Sequence, residues 1–151
     1  MAAGRKLAQG TKLKMGDGAG PEVFATIAFL DTISLPNQTR EAVNVSDHDT
    51  EDFMEFLGAA LADGGEVSFE GHLDPETASH GYSAGSGILN AFKVGANKNF
   101  EIVSPNGVWK VSFNSVITAV GGNAAAENGS GKLRLSGTLK VSGEPIFAAV
   151  A

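Results

Sequence analysis

Three histidines, His48, His72 and His80, are the first residues to weigh for chemistry in a chain that contains no cysteine. None has the His-Glu-x-x-His spacing that sets two imidazoles on one helical face, and there is no thiolate to complete a zinc set. The missing cysteines also exclude disulfides and thiol catalysis, in agreement with a reducing compartment. His48 lies between Asp47 and Asp49. That trio could touch a cation, although alternating charge of this kind is the ordinary make-up of a solvated loop. No Ser-His-Asp triad is expected from the scattered serines, histidines and aspartates. The glycine-rich stretches at 16–21 and 81–87 lack the lysine of a phosphate loop and the strand-loop-helix setting of a dinucleotide site, so they read as turns. Lys132, Arg134 and Lys140 share one face of a strand, but no aromatic residues are interleaved with them. A solvated face fits better than a nucleic-acid platform. No catalytic residue, cofactor or metal is expected.

Composition points the same way. The chain has 151 residues with 42% hydrophobic and 19% charged, enough for one domain with a sizeable core. Its net charge of −6 repels nucleic acid rather than attracting it. No apolar run approaches the roughly 18 residues of a membrane span, so no membrane partner is expected. Residues 1–14 are basic without a long apolar stretch, a poor signal peptide. Residues 1–10 read as a flexible arm.

The elements follow from periodicity. Phe100 to Val120 reads as a hairpin turning at Pro105-Asn106-Gly107. Trp109, Val111, Phe113, Ser115 and Ile117 point one way, and Lys110, Ser112, Asn114 and Thr118 the other. Asn106 and Gly107 suit the positive φ angles of a tight turn, while Pro105 allows a longer loop. Further strands are expected at Thr11–Met15, at Val23–Leu35, at Arg40–Ser46, at Glu66–Leu73 and at Lys132–Ser142. The last is broken by Glu144-Pro145, with 143–151 as an apolar tail. Ser83–Val94 reads as the one proper helix, with Ile88, Leu89 and Phe92 as its stripe, Ser83 as its cap and Gly95 as its stop. The fold expected is mainly β, a β-sandwich or flattened barrel with one flanking α-helix and a long inter-strand loop, forming a single domain over 1–151.

That loop, residues 47–65, is acidic at the front and apolar in the middle, with a short helical turn suggested by Phe53, Phe56 and Leu57. Long insertions between strands tend to be functional. Phe53, Met54, Phe56 and Leu57 are the candidate subunit-interface residues, because exposed together they form a costly patch that a partner must cover. Glu66, Glu70 and His72 lie on the polar side of their strand. They are candidates for a channel-lining face, and the face of Lys132, Arg134 and Lys140 is the competing candidate.

The order of these motifs resembles the tail tube (major tail) proteins of long-tailed bacteriophages. The residues that carry the resemblance are Ile33-Ser34-Leu35-Pro36, Thr39-Arg40-Glu41, Val43 to Asp47, Phe56-Leu57-Gly58, Asp63 to Gly71, Asp74-Pro75, Ile88 to Phe92 and the hairpin around Pro105-Asn106-Gly107. Leu57 stands where many relatives have proline. The resemblance implies a structural virion protein. Hexameric rings of it would stack into a hollow tube, and double-stranded DNA would pass through without tight binding. It implies terminator, tail-tip or baseplate and tape measure proteins as partners, and a place in the virion tail after assembly in the host cytoplasm. The extra immunoglobulin-like domain of some members is not expected here. A tube protein of a type VI secretion or bacteriocin-like tail shares the architecture. A carbohydrate-binding or adhesin module on a phage particle is the competing class, though the single tyrosine, Tyr82, argues against it.

Overall fold

The alternation along Glu66–Leu73 is an alternation of burial. In the computed structural model, which describes residues 8–82, 87–124, 126 and 131–150, Val67, Phe69 and Gly71 are buried while Glu66, Ser68 and Glu70 are exposed. The chain runs β1 (Lys12–Gly16), β2 (Phe24–Thr26), β3 (Leu30–Ile33), β4 (Thr39–Asn44), β5 (Phe56–Asp63), β6 (Glu66–His72), a 3-10 turn (Ala78–His80), α1 (Ile88–Val94), β7 (Lys98–Val103), β8 (Trp109–Ala124) and β9 (Leu133–Ala149).

Seven strands form one antiparallel sheet in the order β2-β1-β7-β8-β9-β6-β3, and β4 and β5 form a separate two-stranded sheet. β2 and β3 are the two edges of the large sheet, yet only residues 27–29 join them. Three residues span at most about 11 Å, so the sheet must curl until its edges nearly meet. They do not pair, and the result is a curled, sandwich-like sheet rather than a closed barrel. Leu13, Val67, Phe69, Phe100, Ile102, Val111, Leu135 and Leu139 fill the interior. Phe100 and Phe113 stack across the β7–β8 ladder with ring centroids 5.9 Å apart. The short helix α1 adds Ile88 and Ala91 to this core, and Gly95 ends it in the left-handed region. The Ser83 cap expected from the sequence lies outside the described residues, as does the arm over 1–7.

The seam between the edges is held by a clasp. His80 is fully buried, and its Nδ1 accepts the Asp74 N–H at 3.1 Å. Nε2 therefore carries the proton, which it donates to the Ala28 carbonyl at 2.6 Å. The Ala28 N–H donates to Ser79 Oγ, and the Phe29 ring meets His80 edge-on at 5.9 Å. Phe29 sits at φ 63°, a conformation a bulky side chain adopts only when its surroundings impose it. This kink splits the expected Val23–Leu35 strand into β2 and β3.

Three other expectations change. Residues 47–65 hold no helical turn: from Phe56 onward they form β5, paired with β4. The last strand does not stop at Pro145. β9 bulges out over Gly143, Glu144 and Pro145, then rejoins β8 from Ile146 to Ala149, because a bulge removes the prolyl nitrogen from the ladder. In the β7–β8 turn only Gly107 has positive φ, not Asn106. The loop is the longer kind, stitched by Ser104 Oγ accepting the N–H groups of Val108 and Trp109.

Candidate assembly surfaces

The β4–β5 hairpin stands off the domain. Every residue of β4 is exposed, and in β5 only Ala59 is partly covered. Its register pairs Val43 with Leu57 and Asn44 with Phe56. Leu57 and Phe56 therefore point to opposite faces, so the helical stripe suggested by the sequence dissolves. The apolar load is two-sided and large, with Phe53 85% and Leu61 87% exposed and Met54, Phe56 and Leu57 more than half exposed. Phe53 and Met54 belong to the tip rather than to either strand. Leu61 escapes a sequence reading because AALAD has neither a strand nor a helix period. Its signal is an apolar run ending on the Asp63-Gly64-Gly65 turn.

The hairpin is built locally. Arg40 Nη1 donates to the carbonyls of Ala59 and Ala60, which a bulge between Arg40 and Ala42 turns outward. At the tip, Asp47 Oδ1 accepts the Asp49 N–H and Glu55 N–H donates to Ser46 Oγ. At the base, Asp63 Oδ1 accepts from Lys140 Nζ and from the Gly65 N–H, each at 2.7 Å. The Lys140 bond, with the Gly65 N–H behind it, holds the Asp63 carboxyl below its ordinary pKa.

Glu66, Glu70 and His72 share one outward face with residues the sequence reading set against them. The β6–β9 register pairs Glu66 with Lys140, Glu70 with Ser136 and His72 with Arg134. The acidic and basic candidates for a channel lining are thus interleaved on a single surface. Arg134 makes a two-pronged contact with Asp31 at 2.8 and 3.2 Å. That pairing lowers the Asp31 pKa and raises that of Arg134. Four carboxylates (Asp31, Asp63, Glu66 and Glu70) meet Arg134 and Lys140, both already paired, while Lys132, exposed just before β9, has no ion pair among the described residues. Ser68, Ser136 and Thr138 fill the spaces between them.

Among the described residues, two edges of this half-sheet are open. β7 covers β8 only as far as Ser115, so Val116–Ala124 pairs with β9 alone. β3 pairs with β6 alone. The unit β8-β9-β6-β3 therefore has four antiparallel strands and, among the described residues, an unpaired row of backbone groups at either side. Sequence pattern does not reveal edges, because they depend on which strands lack a partner.

The remaining chemistry is sparse. Gly81-Tyr82-Ser83-Ala84-Gly85 spells the Gly-x-Ser-x-Gly of a nucleophile elbow. An elbow needs a strand running into it, and here a 3-10 turn precedes it. Both ring nitrogens of nearby His80 are engaged by backbone, and Ser83 lies outside the described residues. Among the described residues no three His, Asp or Glu side chains converge on a metal-sized site.

This fold is similar to that of solved chains from tail-tube and contractile injection assemblies. The likeness runs over nearly the full length of this chain. The sheath/tube terminator of the PVC extracellular contractile injection system, in its extended state, superposes with TM-score 0.72 at 11% identity, covering 98% of this chain and 100% of that one. A chain of the anti-feeding prophage (AFP) baseplate gives 0.68 at 9% identity, covering 99% of each. The SPP1 tail tube gives 0.68 at 13% identity, covering 95% of this chain and 78% of that one. At such identities the likeness is one of fold. No family profile and no curated protein matches the chain.

Proposed function

We propose that the protein is a structural subunit of a tail tube, in a phage or in an injection-type particle, assembling as hexameric rings that stack into a hollow conduit. The observation that carries this reading is the four-stranded unit with two open edges. β8 and β3 run in opposite directions, because they stand three antiparallel steps apart. A second copy set beside the first thus brings its β8 against β3 in antiparallel sense, and head-to-tail repetition of that contact closes a ring. Six copies would give about 24 strands at roughly 4.8 Å spacing, a backbone diameter of about 37 Å before tilt widens it. That is wide enough for a DNA duplex.

In such a ring the face of Glu66, Glu70 and His72 lines the channel. Its carboxylates outnumber its cations, and Arg134 and Lys140 are paired, so it repels phosphate weakly and only within about 8 Å at physiological salt. DNA would pass without tight binding. Phe53, Met54, Phe56 and Leu57 would lie between subunits or rings, where their exposure is covered. Terminator, tail-tip or baseplate and tape measure proteins are the partners this role needs. The particle tail is its location, after assembly in the host cytoplasm. No cofactor and no catalytic step enter the role.

Negative-stain microscopy of the purified protein over a concentration series tests the reading. Rings or tubes are expected. Compact monomers at every concentration, together with no labelling of particles by an antibody to the chain, would refute it. Glu66→Lys with Glu70→Lys should leave assembly intact and slow DNA ejection most at low salt. Unchanged ejection would move this face to the outside of the tube.

A further inference from the structure

We infer that the acidic tip of the β4–β5 hairpin docks on the outer face of β1, β7, β8 and the end of β9 in a second copy of the chain. The inference rests on the assembly reading and names the surface that receives the hairpin. Two cross-strand rows make up that face. In one, Lys12, Val103, Lys110 and Ala148 stand side by side; in the other, Lys14, Glu101, Ser112 and Ile146 do. Three lysines thus face outward against two carboxylates: Glu101, which Lys110 reaches only at 3.9 Å, and Glu22, which accepts from Asn99 at the end of the face. Lys12 and Lys14 have no ion pair among the described residues. Val103 and the exposed Ile146 give the same face an apolar strip.

The hairpin tip is its complement. Between Asp47 and Glu55 it carries five carboxylates, and the only basic side chain there is His48. Asp47 is occupied by its own turn, while Asp49, Glu51, Asp52 and Glu55 are exposed and have no ion pair among the described residues. Phe53 and Met54 lie among them, so carboxylates and apolar groups alternate on the tip as lysines and apolar groups do on the face. The eight residues of β5 at about 3.3 Å each carry the tip roughly 25 Å from its base, far enough to reach a neighbouring subunit. Two other surfaces fit less well. The face of Glu66 and Glu70 is itself acidic, and its Arg134 and Lys140 are paired. The surface around Tyr82, Phe92 and Val94 is apolar but offers only Lys93.

The chain has no cysteine, so a paired thiol test is clean. Asp52→Cys mixed with Lys14→Cys should yield a disulfide-linked pair of copies in assembled material under mild oxidation, with none in the monomer fraction. Lys12→Glu/Lys14→Glu/Lys110→Glu should raise the concentration needed for assembly about ten- to a hundred-fold, the range expected for three exposed charge pairs. Asp49→Lys/Glu51→Lys/Asp52→Lys should do the same, and the two triple variants mixed together should regain assembly. A melting curve for each checks that it folds; if the glutamate set does not, the Lys→Gln set replaces it. Assembly of the reversed variants at the wild-type concentration, or tubes that form without the cross-link, would overturn this docking and leave the tube reading standing. A wild-type chain that never assembles overturns both.

Discussion

One tight contact in the core pairs an aromatic ring with a missing side chain. Phe69 on β6 stands opposite Gly137 on β9. A Cβ placed on Gly137 would fall 2.4 Å from the Phe69 ring edge, inside any allowed contact. Phe69 is 1% exposed, so Phe69→Ala removes a fully buried ring at a cost of about 3–5 kcal/mol. For a domain of this length that lowers Tm by about 6–20 °C. Gly137→Ala in the wild-type background forces the ring aside and costs about 1–3 kcal/mol by overpacking. With the ring gone, the same methyl enters vacated space, and the entropy lost by the unfolded chain favours alanine by about 0.4–1 kcal/mol. Gly137→Ala should therefore change sign, destabilising the wild type and stabilising Phe69→Ala. The coupling should lie at the upper end of the roughly 0.5–3 kcal/mol seen for touching residues. Urea melts of the four proteins measure it. Equal destabilisation in both backgrounds would show that the ring does not pack over Gly137 in solution.

Ser115→Ala should be neutral or stabilise by up to about 1 kcal/mol, since its Oγ is buried without a partner among the described residues; a loss above about 1 kcal/mol in the same melts would reveal a hidden one. His80→Ala should cost about 2–4 kcal/mol by opening the clasp between the sheet edges, and hydrogen exchange should rise first at Ala28 and Asp74. Asp31 and Asp63 have folded pKa values below their unfolded values, so the stability they add is complete above about pH 4 and is lost as pH falls through the lowered values. Melts from pH 6 down to pH 2 should show that loss diminished in Asp31→Asn and Asp63→Asn. An unchanged acid profile would remove the two pairs from the account.

β6 and the first half of β8 were legible because one face of each is buried, so period two is written into Val67-Phe69 and into Val111-Phe113-Ser115-Ile117. β5 was not. Both its faces are exposed, no burial selects a period, and Phe56-Leu57 mimics a helical pair. The break at Phe29 was invisible because its cause, His80, lies 51 positions further along the chain. The passage of β9 beyond Pro145 was missed because a bulge, not the residue type, decides whether a prolyl nitrogen is needed. The interface candidates Phe53, Met54, Phe56 and Leu57 were legible as apolar residues in an acidic setting. Their division between tip and two opposite faces was not. That Glu66 and Lys140 are neighbours is a matter of strand register, which one strand's pattern does not contain.

The base of the hairpin makes it a lever. Gly65 at φ 85° lies so close to Asn37 that a Cβ would fall 2.1 Å from its carbonyl oxygen. A side chain there must push the two segments apart by about 1 Å. Across a strand pair roughly 5 Å wide that is a rotation of about 11°, which an arm of roughly 25 Å multiplies into a displacement of about 5 Å at Phe53. One methyl group at the fulcrum would throw the tip out by the width of a whole strand.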